Sequence, residues 1–149
     1  MSLVGGLLAA AAAAPGFAAE RNCTHNQPTP SAPAVSYDVF MVFFDWDSSA
    51  ITPQTAAILD NAARWYAPLS QCVVLIATHS DRSGAAAYNL ILSERRAEAI
   101  GAYLRRRGVS AAVRIEPYGE TRPLVETADG VHEPQNRRAE IIVVPPSPR

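Results

Sequence analysis

Apolar side chains are concentrated in a few stretches of this chain, and their pattern predicts its strands. Tyr37 to Phe44 (Y-D-V-F-M-V-F-F) and Cys72 to Thr78 (C-V-V-L-I-A-T) are almost wholly aromatic, aliphatic or β-branched. Continuous runs of this length are typical of strands buried on both faces, or nearly so. Arg138 to Val144 alternates and then becomes apolar, which predicts a last strand. Arg114 to Tyr118 predicts another strand, shortened by its proline.

Helical spacing appears between these strands. Thr52-Pro53 has the form of an N-cap followed by a proline in the first turn, and a helix is predicted from about Pro53 to Ala67. A longer helix is predicted after the polar loop His79 to Gly84, and it ends before Gly108. Its predicted core stripe consists of Ser93, Ala97, Ile100 and Leu104.

The resulting order is strand, helix, strand, helix, strand, strand. Two strand-helix-strand units favour parallel neighbouring strands with right-handed crossovers and both helices on one face. The predicted fold is α+β, a two-layer α/β sandwich with a mixed four-strand sheet. The acidic, proline-containing segment Gly119 to Gln135 is predicted to be a surface excursion.

The beginning of the chain has a different composition. Residues 1–19 carry no charge, and their apolar run is too short to span a bilayer but is typical of a secretory signal peptide. No basic residue precedes the run, so a disordered alanine-rich tail is the alternative. Residues 20–36 are predicted to be a linker, residues 37–145 the folded domain and residues 146–149 a tail.

Export would place the chain in an oxidising compartment, where its two cysteines could pair. Cys23 and Cys72 could form a disulfide in an oxidising compartment, and two free thiols are an equally weighted alternative. The residues Glu20-Arg21-Asn22 before Cys23 are not the small, apolar ones that a lipoprotein cysteine needs. We therefore expect no lipid anchor.

The overall charge of the chain excludes one class of binding partner. The formal net charge is −1 and the chain has 149 residues, enough for one domain with a hydrophobic core. Nucleic-acid binding needs a basic surface, so nucleic acid is not an expected partner. Every basic residue other than histidine is an arginine, so cationic contacts would be made by planar guanidinium groups.

Candidate chemistry centres on Asp81 in the second loop and Arg96 on the second predicted helix. Helical side chains point back toward the helix N-terminus, so Arg96 can reach the loop that contains Asp81. An acid and an arginine held together could bind a zwitterion, the acid taking an ammonium and the arginine a carboxylate. Alternatively, Asp81 caps a helix or closes a turn, and Arg96 pairs with an acid of its own helix or with Asp81.

Catalysis is not expected. His79, Ser80 and Asp81 are contiguous, but the side chains of neighbouring residues on an extended loop point in different directions. A catalytic triad needs its nucleophile, its base and its orienting residue to be linked by hydrogen bonds. Ser80 is not flanked by the glycines of a nucleophile elbow. Histidines and cysteines lack metal-ligand spacing, and there is no glycine-rich phosphate loop. The sequence therefore predicts no enzyme activity, metal or cofactor.

Four sequence blocks, in order, carry a resemblance to a known family. They are F-D-W-D-S with I-T-P, then H-S-D-R-S-G, then Y-N-L-I-L-S-E-R-R-A, and finally Y-G-E…P with N-R-R-A-E-I. Together they make Tyr37 to Val144 resemble the OmpA-like peptidoglycan-binding domain. The chain departs from that pattern at Thr78 and Pro117, where glycine is more usual, and at Ser80, which replaces threonine but keeps the hydroxyl.

The resemblance implies non-covalent binding of peptidoglycan through the diaminopimelate of its stem peptide, with an anchoring or envelope-integrity role. By motif position, Asp81 would bind the ammonium and Arg96 would grip the carboxylate in a bidentate fork. Three further residues are candidates for peptidoglycan binding. Asn89 would either bind amide groups of the ligand or only satisfy backbone groups near the start of the helix. Asp45, as a second-rank candidate, and Ser80 complete the predicted site.

The location implied is the periplasm, in association with the outer membrane or cell wall. Outer-membrane or other envelope proteins are further candidate partners. The alternative function is a protein-interaction module of the same fold that docks on an envelope protein through Gly119 to Gln135.

Overall fold

The computed structural model describes residues 39–69 and 71–144. Their elements are β1 (Val39–Phe43), α1 (Pro53–Tyr66), β2 (Val73–His79), α2 (Ala86–Arg106), β3 (Ala112–Gly119), a short 3₁₀ helix (Pro134–Asn136) and β4 (Arg138–Val144). The predicted signal peptide, linker and tail lie outside the described residues, as do Tyr37 and Cys23. The domain boundaries and the Cys23–Cys72 disulfide therefore stay predictions.

The four strands form one mixed sheet in the order β1-β4-β2-β3. β4 is antiparallel to both β1 and β2, whereas β2 and β3 are parallel. The predicted α+β fold with a mixed four-strand sheet is confirmed. The expectation that each strand-helix-strand unit joins parallel neighbours holds for β2 and β3 but is wrong for β1 and β2. These two strands run in the same direction, but they are not neighbours, because β4 lies between them and pairs with both.

The prediction that the first strand is buried on both faces, or nearly so, is also wrong. β1 is an edge strand, and Val39 and Phe43 are 51% and 47% exposed. Val42, on the other face of the same strand, is fully buried in the core. A run of apolar residues cannot distinguish an edge strand with a covered face from a central strand, because both lack charges.

β3 extends over Ala112–Gly119, longer at both ends than predicted, so its proline does not shorten it. β3 lies at the other edge of the sheet, where a missing backbone N–H is tolerated. Pro117 pairs with Thr78, and the register shifts immediately after this pair, between Thr78 and His79.

The two helices lie on one face of the sheet and close a single core. The predicted stripe of α2 is confirmed, because Ser93, Ala97, Ile100 and Leu104 are all fully buried. The predicted helix ends are confirmed as well. The Thr52 hydroxyl accepts a hydrogen bond from the amide of Thr55, and Gly108 follows α2 in the left-handed conformation, with φ of +91°.

The predicted excursion between β3 and β4 lies mostly at the surface, and one buried side chain organises it. The side-chain oxygen of Asn136, Oδ1, accepts hydrogen bonds from the backbone amides of Leu124 and Val125, each at 2.8 Å. Its side-chain nitrogen, Nδ2, donates to the Val125 backbone carbonyl at 2.8 Å. The Gly130 amide donates to the Arg82 carbonyl at 2.7 Å, which joins the excursion to the β2–α2 loop.

Candidate functional site

β1 and β2 run in the same direction, so the loops that follow them meet at one edge of the sheet. Crevices outside the carboxyl ends of strands are where α/β sheets usually bind ligands. A pocket of about 150 Å³ lies here, and its walls include Ser80, Asp81, Asn89, Arg96 and Arg137. Four of the five predicted peptidoglycan-binding residues therefore line one cavity.

Asp81 is 2% exposed and is surrounded by donors. Its Oδ1 accepts hydrogen bonds from the Ser83 hydroxyl at 2.5 Å and the Ser83 amide at 3.3 Å. Its Oδ2 accepts from the Glu133 amide at 3.2 Å and from Arg137 Nη1 at 3.0 Å. Burial acts to raise the pKa of Asp81, but these hydrogen bonds outweigh it and hold the pKa below its ordinary value, so the carboxylate is ionised at neutral pH.

Arg96 is fully buried at the base of the pocket, where it donates to three backbone carbonyls. Nε donates to Ser48 O at 2.8 Å, and Nη1 and Nη2 donate to His79 O and Asp45 O, both at 3.0 Å. Its guanidinium carbon lies 4.9 Å from the centre of the Phe44 ring. Burial, with repulsion from Arg137, lowers the pKa of Arg96 to about 10, so it remains a cation at neutral pH.

The ion pair at this site is not between Asp81 and Arg96. Asp81 pairs with Arg137, whose side chain is only 13% exposed. Arg137 also donates through Nε to the Phe44 carbonyl at 3.1 Å, so it links the end of β1 to the β2–α2 loop. Its position could not be read from spacing, because it is 56 residues from Asp81 in sequence.

Asn89 and Ser80 differ in how far their polar groups are satisfied. Asn89 donates from Nδ2 to the Asp81 carbonyl at 3.1 Å and to Glu120 Oε2 at 2.7 Å, which fixes the loop against the first turn of α2. Ser80 is 2% exposed, and its hydroxyl has no hydrogen-bond partner within the described part of the chain. A buried hydroxyl without a partner is costly, so a polar ligand atom in the pocket would find a donor and acceptor there.

Asp45 is the one predicted residue whose side chain does not line this pocket. Its backbone carbonyl binds Arg96, whereas its exposed side chain borders a neighbouring cavity. Asp47 lines the pocket instead and accepts a hydrogen bond from the Tyr88 hydroxyl. Asp47 has a φ of +50°, and this left-handed turn sets the direction of its side chain, which a sequence pattern does not show.

The rim of the pocket includes two exposed aromatic residues that are not among the predicted site residues. Trp46 is 59% exposed, and its indole N–H donates to the Ser83 hydroxyl at 3.0 Å. Tyr88 is 44% exposed in the first turn of α2. The sequence signal for them is their place within the motif blocks, where Trp46 follows Asp45 and Tyr88 precedes Asn89.

Within residues 39–69 and 71–144, no group of three or more His, Cys, Asp or Glu side chains is arranged to hold a metal ion. The helices of that same part of the chain are too short or too polar to cross a membrane.

The model of the OmpA family matches residues 43–137, more than half of the sequence. The chain belongs to the OmpA family. The resemblance drawn from the four sequence blocks is thereby confirmed, and both pocket-forming loops lie within the matched range.

Two curated OmpA-like relatives show how much of a longer protein this domain represents. An outer membrane protein of Gluconacetobacter diazotrophicus is 38% identical over 123 residues, covering 78% of this chain and 31% of that protein. A peptidoglycan-associated lipoprotein of Rhizobium meliloti is 39% identical over 99 residues, covering 66% of this chain and 56% of the relative. The chain therefore spans between about a third and somewhat over half of these relatives.

Solved structures agree on the fold. The peptidoglycan-associated lipoprotein of Burkholderia pseudomallei superposes with a TM-score of 0.64 at 32% identity, covering 70% of this chain and 89% of that one. The C-terminal domain of MotB from Helicobacter pylori gives a TM-score of 0.61 at 21% identity, covering 74% and 86%. The second likeness supports the OmpA-like fold alone.

Proposed function

We propose that this OmpA-family domain binds peptidoglycan without a covalent bond and holds its protein to the cell wall. The ligand group in the pocket is the diaminopimelate of the stem peptide. The names of two similar proteins, both peptidoglycan-associated lipoproteins, support the polymer as the partner. They and the outer membrane protein also support a location in the cell envelope. We place the domain on the periplasmic side of that envelope, because peptidoglycan is its proposed ligand.

The observation that carries the proposal is the pocket itself. It brings together a buried carboxylate, a buried guanidinium and the Ser80 hydroxyl, which has no hydrogen-bond partner among the described residues. The side chain of diaminopimelate ends in an ammonium and a carboxylate on one carbon, so it needs an acidic and a basic partner a few ångströms apart. Asp81 and Arg96 have those charges, and the Ser80 hydroxyl can serve either group.

The donors of Arg96 are sufficient for this role. An arginine has five N–H donors, so its three bonds to backbone carbonyls leave two, the number a carboxylate takes in a bidentate fork. No side chain caps α2, and its first-turn amides follow Gly84, which also lines the pocket. The N-terminus of a helix favours an anion, so the same ligand carboxylate gains further donors there.

Sedimentation with purified peptidoglycan sacculi tests the proposal. We expect Asp81→Asn and Arg96→Lys to reduce bound protein about tenfold or more. Asp81→Asn removes the negative charge that would bind the ammonium, and Arg96→Lys removes the planar group that would bind the carboxylate with two hydrogen bonds. Lysine is preferable to alanine at residue 96, because alanine would remove the donors that three backbone carbonyls now share. Circular dichroism and thermal unfolding must show that both variants are folded.

Asp129→Asn is the matched control. It makes the same chemical change at a side chain that is 90% exposed and whose ion pair with Arg82, at 3.6 Å, lies at the surface. We expect its sedimentation to equal that of the wild type. If the two pocket variants also sediment like the wild type, the pocket is not the wall-binding site, and docking on another envelope protein becomes the better account.

The same assay addresses enzyme activity. We expect no release of soluble muropeptides, because the members of the His79-Ser80-Asp81 run do not contact one another as a triad would. The Ser80 hydroxyl has no partner among the described residues, and the His79 ring stacks on Tyr118. The affinity for one stem peptide is expected to be modest, and retention in the wall would rise through rebinding to a repeating polymer.

A further inference from the structure

A second cavity lies beside the pocket, with a volume of about 650 Å³. It lies at the end of β1, between the start of α1 and the 3₁₀ helix, and its walls include Phe43, Asp45, Gln54 and Gln135. A cavity of this size is in the range that holds small ligands. Arg137 lines both this second cavity and the pocket, so the two adjoin across one side chain.

Asp81 has no acceptor position to spare for a ligand ammonium. A carboxylate offers about four lone-pair sites, and Asp81 receives four donors. Two of these are backbone amides, of Ser83 and Glu133, which the chain holds in place. The Ser83 hydroxyl is held in turn, because it accepts the indole N–H of Trp46. The donor free to leave is therefore Arg137 Nη1, which is at the end of a long side chain.

Arg137 has both the capacity and an electrostatic reason to change partners. Its bonds to Phe44 O and Asp81 use two of five N–H donors, and within the described residues the other three have no acceptor. The positive charge of Arg137 disfavours the charged form of Arg96. A ligand ammonium on Asp81 would add a third cation, so repulsion favours movement of the Arg137 terminus toward the second cavity, with Nε still bound to Phe44 O.

We propose that the second cavity is a subsite for a peptide carboxylate adjacent to diaminopimelate in the stem, and that Arg137 binds this carboxylate after the ammonium replaces it on Asp81. The proposal rests on the function proposed above and makes it more specific. A cation that leaves one carboxylate needs another anion. A γ-linked glutamyl residue next to diaminopimelate supplies one, since its α-carboxylate is free. Gln54 and Gln135 provide neutral amides for the peptide backbone around it.

The test compares three probes by calorimetric titration of the full chain. They are free meso-diaminopimelate, the tripeptide L-alanyl-γ-D-glutamyl-meso-diaminopimelate, and the same tripeptide with its glutamyl α-carboxylate amidated. We expect the wild type to bind the carboxylate form about tenfold more tightly than the amidated form, the usual effect of one charge-assisted contact. In Arg137→Gln that ratio should fall to about one.

Two substitutions at an exposed residue of the cavity wall test the charge of the subsite without touching Asp81 or Arg96. Gln54 lies in the first turn of α1, where either charge can be accommodated at the surface. Gln54→Glu should lower the carboxylate-to-amide ratio about threefold or more, and Gln54→Lys should raise it by a similar factor. Binding of free diaminopimelate should change little in both.

Equal binding of the two tripeptides by the wild type overturns the inference, as does an unchanged ratio in Arg137→Gln. The result also separates this inference from the proposed function. If diaminopimelate binds and Asp81→Asn abolishes that binding, but the ratio is one, only the second subsite is wrong. If no probe binds and the Asp81 and Arg96 variants sediment normally with sacculi, the proposed function itself has failed.

Discussion

Arg96 is a cation at neutral pH without exposed surface, and it is held by two carbonyls of the β1–α1 loop and one at the end of β2. Arginines are rarely buried unless they are paired, and here the partners are backbone oxygens rather than an acid. The residue therefore has two roles, as the base of the pocket and as the connection between the loops that form its walls. Its sequence neighbours predicted the first role, whereas the second depends on carbonyls up to 51 residues away.

His79 allows a prediction about pH at the scale of a single residue. It is 3% exposed and stacks on Tyr118, with ring centres 5.3 Å apart. Burial, assisted by the positive charge of Arg138 and opposed by Glu140 at 3.9 Å, lowers the pKa of His79 to about 4.

The unfolded chain binds this proton near pH 6.5 and the folded chain near pH 4, so the contribution of neutral His79 to stability is complete above pH 6.5 and is lost as pH falls toward 4. We expect His79→Phe to remove about 2 kcal/mol of the difference between the free energies of unfolding at pH 7 and pH 5. Urea titrations at the two pH values measure this. An undiminished difference in the variant would show that His79 is protonated equally in both states.

At the scale of elements, the site depends on how closely α2 approaches the end of β3. Gly119 has a φ of +54°, and a Cβ there would lie 3.1 Å from the Leu90 amide nitrogen in the backbone of α2. Its own amide donates to the Ser93 hydroxyl at 3.0 Å. A side chain at residue 119 would push the helix turn that contains Asn89, and thus one wall of the pocket.

We therefore expect Gly119→Ala to destabilise the domain by about 2 kcal/mol or more and to weaken binding to sacculi. Gly130→Ala is its control, because Gly130 also has a positive φ, +81°, but no atom lies within 4 Å of the added Cβ. Backbone strain alone should cost about 1 kcal/mol there. Equal unfolding free energies and equal sedimentation for the two variants would show that the close approach to α2 is unimportant.

At the scale of the whole molecule, the last strand in sequence holds the sheet together. Among the strands of residues 39–69 and 71–144, β4 alone pairs with β1, and it pairs with β2 on its other side. Most of the long-range pairing is therefore formed only when the end of the domain is present, as expected of a topology with non-local strand contacts.

A chain that ends at Arg137 should consequently fail to fold, because β1 would have no partner and Ile141 would be missing from the core. A chain that ends at Val144 should fold normally. Far-UV circular dichroism and amide NMR dispersion distinguish the two outcomes, and native-like dispersion in the shorter chain would contradict the structural role given to β4.

Much of the fold followed from local patterns, and the failures have a common cause. Helix ends depend on residues within one turn, such as Thr52 and Thr55, so the sequence predicts them well. The status of β1 as an edge strand and the extension of β3 through Pro117 depend on which strands are neighbours. Hydrophobic runs report burial but not neighbours, so these two features could not be read from them.

The sequence by itself determined the element types, the core stripe of α2 and the presence of an acid and an arginine at one loop-helix junction. The physical reason is that hydrophobic periodicity, capping and helical side-chain direction act over a few residues. Only the tertiary structure decided that Asp81 pairs with Arg137, that Arg96 is held by carbonyls, and that a second cavity adjoins the pocket. These contacts join residues far apart in the chain, so they form only when the sheet order β1-β4-β2-β3 and the packing of α2 have brought those residues together.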